Sequence, residues 1–379
     1  MGRRLVERGH QVTIVCGSYR VSDTGLRGPF VRGQRRGTVD SLEVVEIDLP
    51  YSNDDSYLRR CRIFLQFALR SIRLALTENH DLVFATTTPL TAGIPGILAR
   101  IRGKRFVFEV RDLWPELPRA MGVITNPIVL GMMSALEWLS YRSAHRLIGL
   151  SPGIVNGIAR RGVARDRITM IPNSCDLDIF KTGLAGWRPD QLLAADLMAV
   201  FTGTHGVANG LDAVLDAAAV LKRRGNEAVK LVLIGDGALK GKLMQRAHNE
   251  QLDNVVFHNA VDKERLAGLL AAANVGLQVL ADVPEFYYGT SPNKFFDYLA
   301  AGLPVLTNYP GWVADLIREY EIGFAVPPND PDRFAEALER AASDRAALIA
   351  MGKRARSVAE TRFNSRDLAD RFVDWLEQA

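Results

Sequence analysis

Residues 287–304 read YYGTSPNKFFDYLAAGLP, and this stretch decides the fold. An apolar run ends just before it at Leu280, and its Ala-Ala-Gly-Leu-Pro ending feeds into a short apolar segment at 305–307. Between the two, a polar loop followed by a short helix places Asp297 three residues after Lys294, on the same helical side. The expected path is strand, loop, helix, strand. In an open α/β sheet such a connection leaves the carboxyl end of its strand, where ligands bind. The amides of Ser291, Asn293 and Lys294 start the helix with unpaired donors, which suits a phosphorylated ligand. Lys294 offers a mobile point charge for phosphate, and Asp297 a two-pronged acceptor for the hydroxyls of a ribose. Taken alone, a Lys and an Asp at this spacing also read as an ordinary surface ion pair.

Outward from this stretch, apolar runs alternate with helical patterns along the whole chain. Candidate strands fall at 12–16, 43–47, 82–85, 106–110, 146–149 and 168–171, then at 198–201, 230–234, 255–257, 275–279, 305–307 and 324–326. The alternation predicts an α/β fold of parallel sheets joined by right-handed crossovers. With 379 residues, 47% of them hydrophobic, two domains are expected, at 1–185 and 186–361, followed by a terminal helix over 362–379. Residues 18–40, rich in Gly and Arg, read as a mobile loop over the ligand cleft.

Charge narrows the partners. A formal net charge of +4 comes from 47 basic and 43 acidic residues, an excess too small for nucleic acid but compatible with an anionic ligand or membrane surface. Cys16, Cys61 and Cys175 are far apart and without Cys-x-x-Cys spacing, so neither a disulfide framework nor a zinc site is indicated, and a reducing compartment is expected. No apolar run reaches about 18 residues and no charged-then-apolar leader opens the chain, so the expectation is a protein that neither spans a membrane nor carries a secretory signal. The segment 56–76 is the exception in character. Arg59, Arg62, Gln66, Arg70 and Arg73 form one polar stripe, while Tyr57, Phe64, Leu65, Ala68, Ile72 and Leu76 line the other side. Such a basic amphipathic helix lies on anionic lipid, or packs on a core with its arginines in water.

Three further motifs carry chemistry. Glu109-Val110-Arg111-Asp112-Leu113-Trp114-Pro115 ends the strand at 106–110 and projects charge at its carboxyl end. There Asp112 can orient or deprotonate an acceptor hydroxyl and Arg111 can contact a diphosphate, or the two form a structural pair. Residues 202–210 read TGTHGVANG before a helix at 211–224, and the glycines Gly203 and Gly206 let backbone amides approach a phosphate. His205 in this loop either touches phosphate or faces solvent. Strand 230–234 ends in Gly235-Asp236-Gly237, with Asp236 read as a helix cap.

Taken together, SPNK (291–294), RDLWPE (111–116), the interdomain IPN (171–173) and the second-half pattern resemble the retaining GT-B glycosyltransferases of family 4, and within them the bacterial branch that builds surface polysaccharides, typified by fucosamine and colanic-acid transferases. The family pattern is Glu-x7-Glu followed by Ala-Met-Ala-x-Gly. Asp297 stands where the second, ribose-holding Glu belongs and Gly289 where the first does, which shifts weight to Lys294 and the amides around Thr290 to Asn293. Arg111 replaces the family's His beside Asp112. Thr204 and Asn209 stand where most members carry Arg and Lys to clamp the diphosphate.

The resemblance implies two Rossmann-like domains facing across a cleft, with a terminal helix that crosses back to the first. It implies a nucleotide-sugar donor, UDP- or GDP-linked, in the second domain, bordered by Gly235, Gly237 and the backbone of Val261. In the first domain it implies a saccharide acceptor, expected to be lipid-linked at the cytoplasmic leaflet. Retention then follows from attack on the face the diphosphate vacates, with no metal and no protein nucleophile. Family members usually show a strand and a glycine-rich loop before an Arg-Gly-His turn. Here residues 1–10 read as the back half of a helix ending at Gly9, and the expectation is that this start is absent. Two other readings remain: a GT-B nucleotide-sugar epimerase, and a truncated sugar-nucleotide-binding subunit without catalysis.

Overall fold

The computed structural model describes residues 1–19, 23–52 and 55–379. In it the apolar runs become strands β1 (Thr13–Tyr19), β2 (Gln34–Val39), β3 (Leu42–Tyr51), β4 (Leu82–Thr86), β5 (Arg105–Val110), β6 (Arg146–Gly149), β7 (Ile168–Met170), β8 (Leu197–Thr202), β9 (Val229–Ile234), β10 (Val255–His258), β11 (Val275–Gln278), β12 (Val305–Thr307) and β13 (Gly323–Ala325). The chain folds as two compact units, one of Met1–Pro172 with Arg366–Ala379 and a second of Asn173–Ser365.

The second unit carries one sheet in the order β10-β9-β8-β11-β12-β13, with every described pairing parallel. Strands β8 and β11 are buried along their whole length, which is why both read as unbroken apolar runs rather than alternations. The chain moves from β8 outward to β10 and then returns to the other side of β8 with β11. Between β8 and β11 the direction of winding reverses, so the loops leaving their carboxyl ends diverge and open a crevice. The core beneath joins Phe201, Leu215, Leu233, Leu277 and Phe334.

In the first unit β4-β5-β6-β7 form a parallel sheet and β1-β3-β2 a second, smaller one. Period-two alternation along β5 sets its layers. Phe106, Phe108 and Val110 face Tyr141, Ile154 and Ile158 of helices Pro127–Ser143 and Pro152–Arg160. Val107 points the other way, onto Phe372 and Val373 of helix Ser365–Glu377. Among the described residues no helix is long and apolar enough to cross a membrane.

Three expectations change. The stretch 18–40 is not loop throughout, because β2 pairs antiparallel with β3 through a two-residue turn at Asp40 and Ser41, both left-handed at φ 49° and 66°; its residues 20–22 lie outside the described ones. The terminal helix begins at Ser365, interrupted at Phe363 and Asn364, where Cys175 donates its amide to the Phe363 carbonyl and accepts from the Ser365 amide. Helix Tyr57–Thr77 buries Ala68 and Ser71, but Leu65 is half exposed and so stands on the arginine side rather than the packed one.

Candidate functional site

The crevice between β8 and β11 is built from three loops of the second unit. After β8, Gly203 turns at φ +134°, and the loop runs through Thr204, His205 and Gly206 to Gly210 at φ +54°. After β9, Gly235 and Gly237 turn at +143° and +151°. A Cβ on Gly235 would stand 1.9 Å from the Gly203 carbonyl oxygen, and one on Gly237 2.7 Å from that of His205. Only glycine permits the two turns to lie this close. Backbone bonds fasten them: the His205 amide donates to Asp236 at 2.8 Å and the Gly203 amide to Ile234 at 2.9 Å. The Asp236 carboxylate accepts from the Gly237 amide at 2.8 Å, so it caps this turn and not the helix Lys240–Asn249. Lys240, which sequence reasoning missed, donates to Gly235, His258 and Asn259 and ties the ends of β9 and β10 together.

His205 is fully buried between the rings of Phe201 and Phe257, which removes the solvent-facing alternative. Burial and the positive charges of Lys240 and Lys294 push its imidazole down to about 4, and neither ring nitrogen finds a partner among the described residues. It is neutral at physiological pH.

The third loop brings Lys294. Helix Asn293–Ala300 carries the lysine into the crevice, where its ammonium lies 4.2 Å from the centroid of the Phe201 ring and donates to Asn209 Oδ1 at 2.7 Å. Asn209 in turn donates to the Thr204 carbonyl at 2.7 Å. The position where the resembled family carries a cation is therefore an amide that orients this lysine. Burial alone lowers Lys294 to about 7. Among the described residues no carboxylate offsets its charge.

One helical turn on, Asp297 is raised to about 6, chiefly by burial, with Lys263 opposing and Asp176 reinforcing the shift. The surface-pair reading fails, since Lys294 and Asp297 form no ion pair and feel different neighbours. Ahead of them Ser291 accepts from the Asn173 amide at 3.1 Å, and Thr290 accepts from Trp312 Nε1 at 2.6 Å. These bonds fix the approach to the helix. Among the described residues the amides of Ser291, Asn293 and Lys294 meet no acceptor. Val261 is half buried between β10 and helix Lys263–Ala272, and no bond joins it to the glycine turns among the described residues.

In the first unit a second cluster gathers at the carboxyl ends of β4 and β5. Asp112 accepts from Thr88 at 3.2 Å and is raised above the usual carboxylate range by burial. Arg111 pairs with Glu109 at 3.3 Å, not with Asp112, and its amide donates to Thr87 at 2.8 Å. Thr86 donates to the same Glu109 oxygen at 2.6 Å. Glu109 was visible in the motif, yet a charged residue inside a strand gave no sign that it, and not Asp112, would hold the guanidinium. Among the described residues no group of three or more His, Cys, Asp or Glu side chains converges as a metal would need.

Comparison with known proteins covers both units. Residues 1–174 match the Glycosyl transferase 4-like domain and residues 190–358 match Glycosyl transferases group 1. The probable glycosyltransferase WbjE of Pseudomonas aeruginosa is 26% identical over 82% of this chain and 79% of that protein. A GDP-mannose-dependent alpha-(1-6)-phosphatidylinositol monomannoside mannosyltransferase of Mycobacterium tuberculosis is 26% identical over 99% of this chain and 92% of its own. Among solved structures, sucrose-phosphate synthase from Thermosynechococcus elongatus superposes with a TM-score of 0.75 at 19% identity, covering 100% of this chain and 91% of that one. This likeness gives the fold as GT-B, with two Rossmann-like units.

Proposed function

We propose that this chain, which belongs to the group 1 glycosyltransferases, moves a glycosyl group from a nucleotide sugar to a saccharide acceptor borne on a lipid, with retention, in bacterial surface-polysaccharide assembly. The observation that carries the reading is Lys294: a cation held by Asn209 and Phe201, with no carboxylate partner among the described residues, at the reversal of the sheet. An unneutralised charge beside free helix-start amides is a site prepared for an anion. The donor is UDP- or GDP-linked. Its diphosphate lies against Lys294, Gly203 and the amides from Ser291 to Lys294, and its ribose hydroxyls donate to Asp297.

Asp112 serves the acceptor. A half-buried carboxylate oriented by Thr88 is placed to hold the incoming hydroxyl, and Arg111, steadied by Glu109, answers negative charge on the donor. The acceptor oxygen bonds to the anomeric carbon as that carbon's bond to the diphosphate breaks. The hydroxyl proton passes to a diphosphate oxygen, so the attack occurs on the vacated face and configuration is kept. No metal and no protein nucleophile enters this scheme. The lipid-borne acceptor implies a peripheral protein at the inner leaflet of the cytoplasmic membrane; the mycobacterial relative, named for a phosphatidylinositol monomannoside, supports the lipid-borne acceptor.

Incubation with UDP- and GDP-sugars, with and without bacterial lipid extract, tests the reading. Release of nucleoside diphosphate should require the extract. Interconversion of the sugar nucleotide without acceptor would instead assign an epimerase.

A further inference from the structure

Helix Pro127–Ser143 turns an apolar face to water. Ile128, Met132, Ala135 and Leu139 recur every three or four residues along it, with Trp138 alongside, and Ile128, Met132 and Trp138 are 72%, 61% and 54% exposed. The core claims the other side through Ser140 and Tyr141. At a rise of 1.5 Å per residue the stripe runs roughly 16 Å from Ile128 to Leu139. Isolated exposed apolar residues are ordinary, but a continuous stripe on one helix marks a contact surface.

The neighbouring helices supply the charge. Helix Gly93–Ile101 packs against both Pro127–Ser143 and Tyr57–Thr77, so the three form one layer. Tyr57–Thr77 and Gly93–Ile101 contain arginines and no acid, and Glu137, the one acidic residue of Pro127–Ser143, is buried against Arg161 at 2.8 Å. Arg62, Arg73, Arg102 and Arg142 are exposed and bind no carboxylate among the described residues. Leu58 and Leu69 stand exposed among the first of these. Two arginines of Tyr57–Thr77 are already engaged: Arg59 with Asp55, and Arg70 with the carbonyls of Gly33 and Asp48.

We propose that this three-helix layer seats the protein on an anionic lipid bilayer, with Pro127–Ser143 as the element that enters the headgroup region and its own Arg142 with the free arginines of its neighbours as the electrostatic rim. The sequence left 56–76 open between lying on lipid and packing on a core; most of its apolar side, Leu65 excepted, packs within the first unit. Charge selects lipid over a second copy of the chain, because a two-fold contact would set these arginines against one another. Tryptophan at the edge of an apolar stripe suits the interface between water and acyl chains. The proposal deepens the reading of a lipid-borne acceptor, and binding to vesicles that hold no acceptor tests it apart from that reading.

Flotation of the full chain with phosphatidylglycerol-containing vesicles, against phosphatidylcholine alone, is the experiment. Binding is expected only with the anionic lipid. Met132→Gln with Leu139→Gln should weaken it at least about tenfold, each buried methylene being worth roughly a factor of four. Arg62→Gln with Arg73→Gln should lower it by roughly thirtyfold and flatten its salt dependence. Brominated acyl chains should quench the wild type more than Trp138→Phe, and circular dichroism should show every variant folded. Undiminished flotation of the Met132/Leu139 variant, or equal quenching without Trp138, overturns the proposal. So does a wild-type dimer in solution that the same variant dissociates, because a second copy would then own the face.

Discussion

Lys294 and Asp297 lie three residues apart on one helix and do not pair; the lysine bonds instead to Asn209, and the aspartate feels Lys263 and Asp176. Each is displaced by burial toward its neutral form, Lys294 down to about 7 and Asp297 up to about 6. A diphosphate would favour the charged lysine, and ribose hydroxyls the charged carboxylate. Nucleotide affinity should therefore fall as pH drops below about 6, where Asp297 takes up a proton, and fall again as pH rises above about 7, where Lys294 has lost one. Calorimetric dissociation constants across this range and on either side of it should trace the bell. Lys294→Ala should remove the alkaline limb and Asp297→Asn the acidic one. A flat profile in the wild type would mean that neither group meets the ligand.

A cation kept in a desolvated place without a counter-ion costs stability when the site is empty. The sign follows from linkage. The unfolded lysine holds its proton up to about 10.5 and the folded one only to about 7, so between these values the unfolded state binds more protons and stability rises with pH. Lys294→Met should thus raise the Tm by a few degrees, most below about pH 7 and progressively less toward the unfolded value. Scanning calorimetry without ligand checks this. A lower Tm on the acidic side would show that the bond to Asn209 outweighs the burial.

Gly235 tests the loop geometry. Its Cβ would collide with the Gly203 carbonyl, a backbone atom, in a conformation that other residues rarely adopt. Gly235→Ala should cost on the order of 1–3 kcal/mol and loosen nucleotide binding by the displaced loop. Gly241→Ala, in open space on the following helix, is the control and should leave both nearly unchanged. Similar melting of the two variants would contradict the packing described.

Asp112→Asn keeps shape and removes charge. If Asp112 holds the acceptor hydroxyl, kcat should drop roughly a hundredfold or more, while nucleotide affinity, carried by the other unit, should hardly move. Loss of affinity in step with stability would make Asp112 a structural residue.

Much of this was legible in the chain. Apolar runs located the strands because buried parallel strands admit little else, and the Lys294/Asp297 spacing alone put both groups on one helical face. The hairpin of β2 was not legible: Gln-Arg-Arg-Gly-Thr-Val lacks an apolar alternation, and the Asp40-Ser41 turn lacks the glycine that usually signals it. Nor was Phe201 as the floor beneath Lys294, since an aromatic residue ending a strand reads as core. The contacts of His205 with Phe257 and of Asn209 with Lys294 depend on loops meeting across the sheet, and local pattern carries no information about that.

The central claim is that Lys294 waits for a diphosphate, and calorimetric titration near neutral pH with UDP and GDP beside uridine and guanosine tests it most directly. The account predicts that one diphosphate binds at least about tenfold tighter than its nucleoside, and that Lys294→Ala erases most of that difference while leaving the nucleoside's weak affinity alone. Equal affinity for diphosphate and nucleoside, or an equal loss for both in the variant, would contradict it.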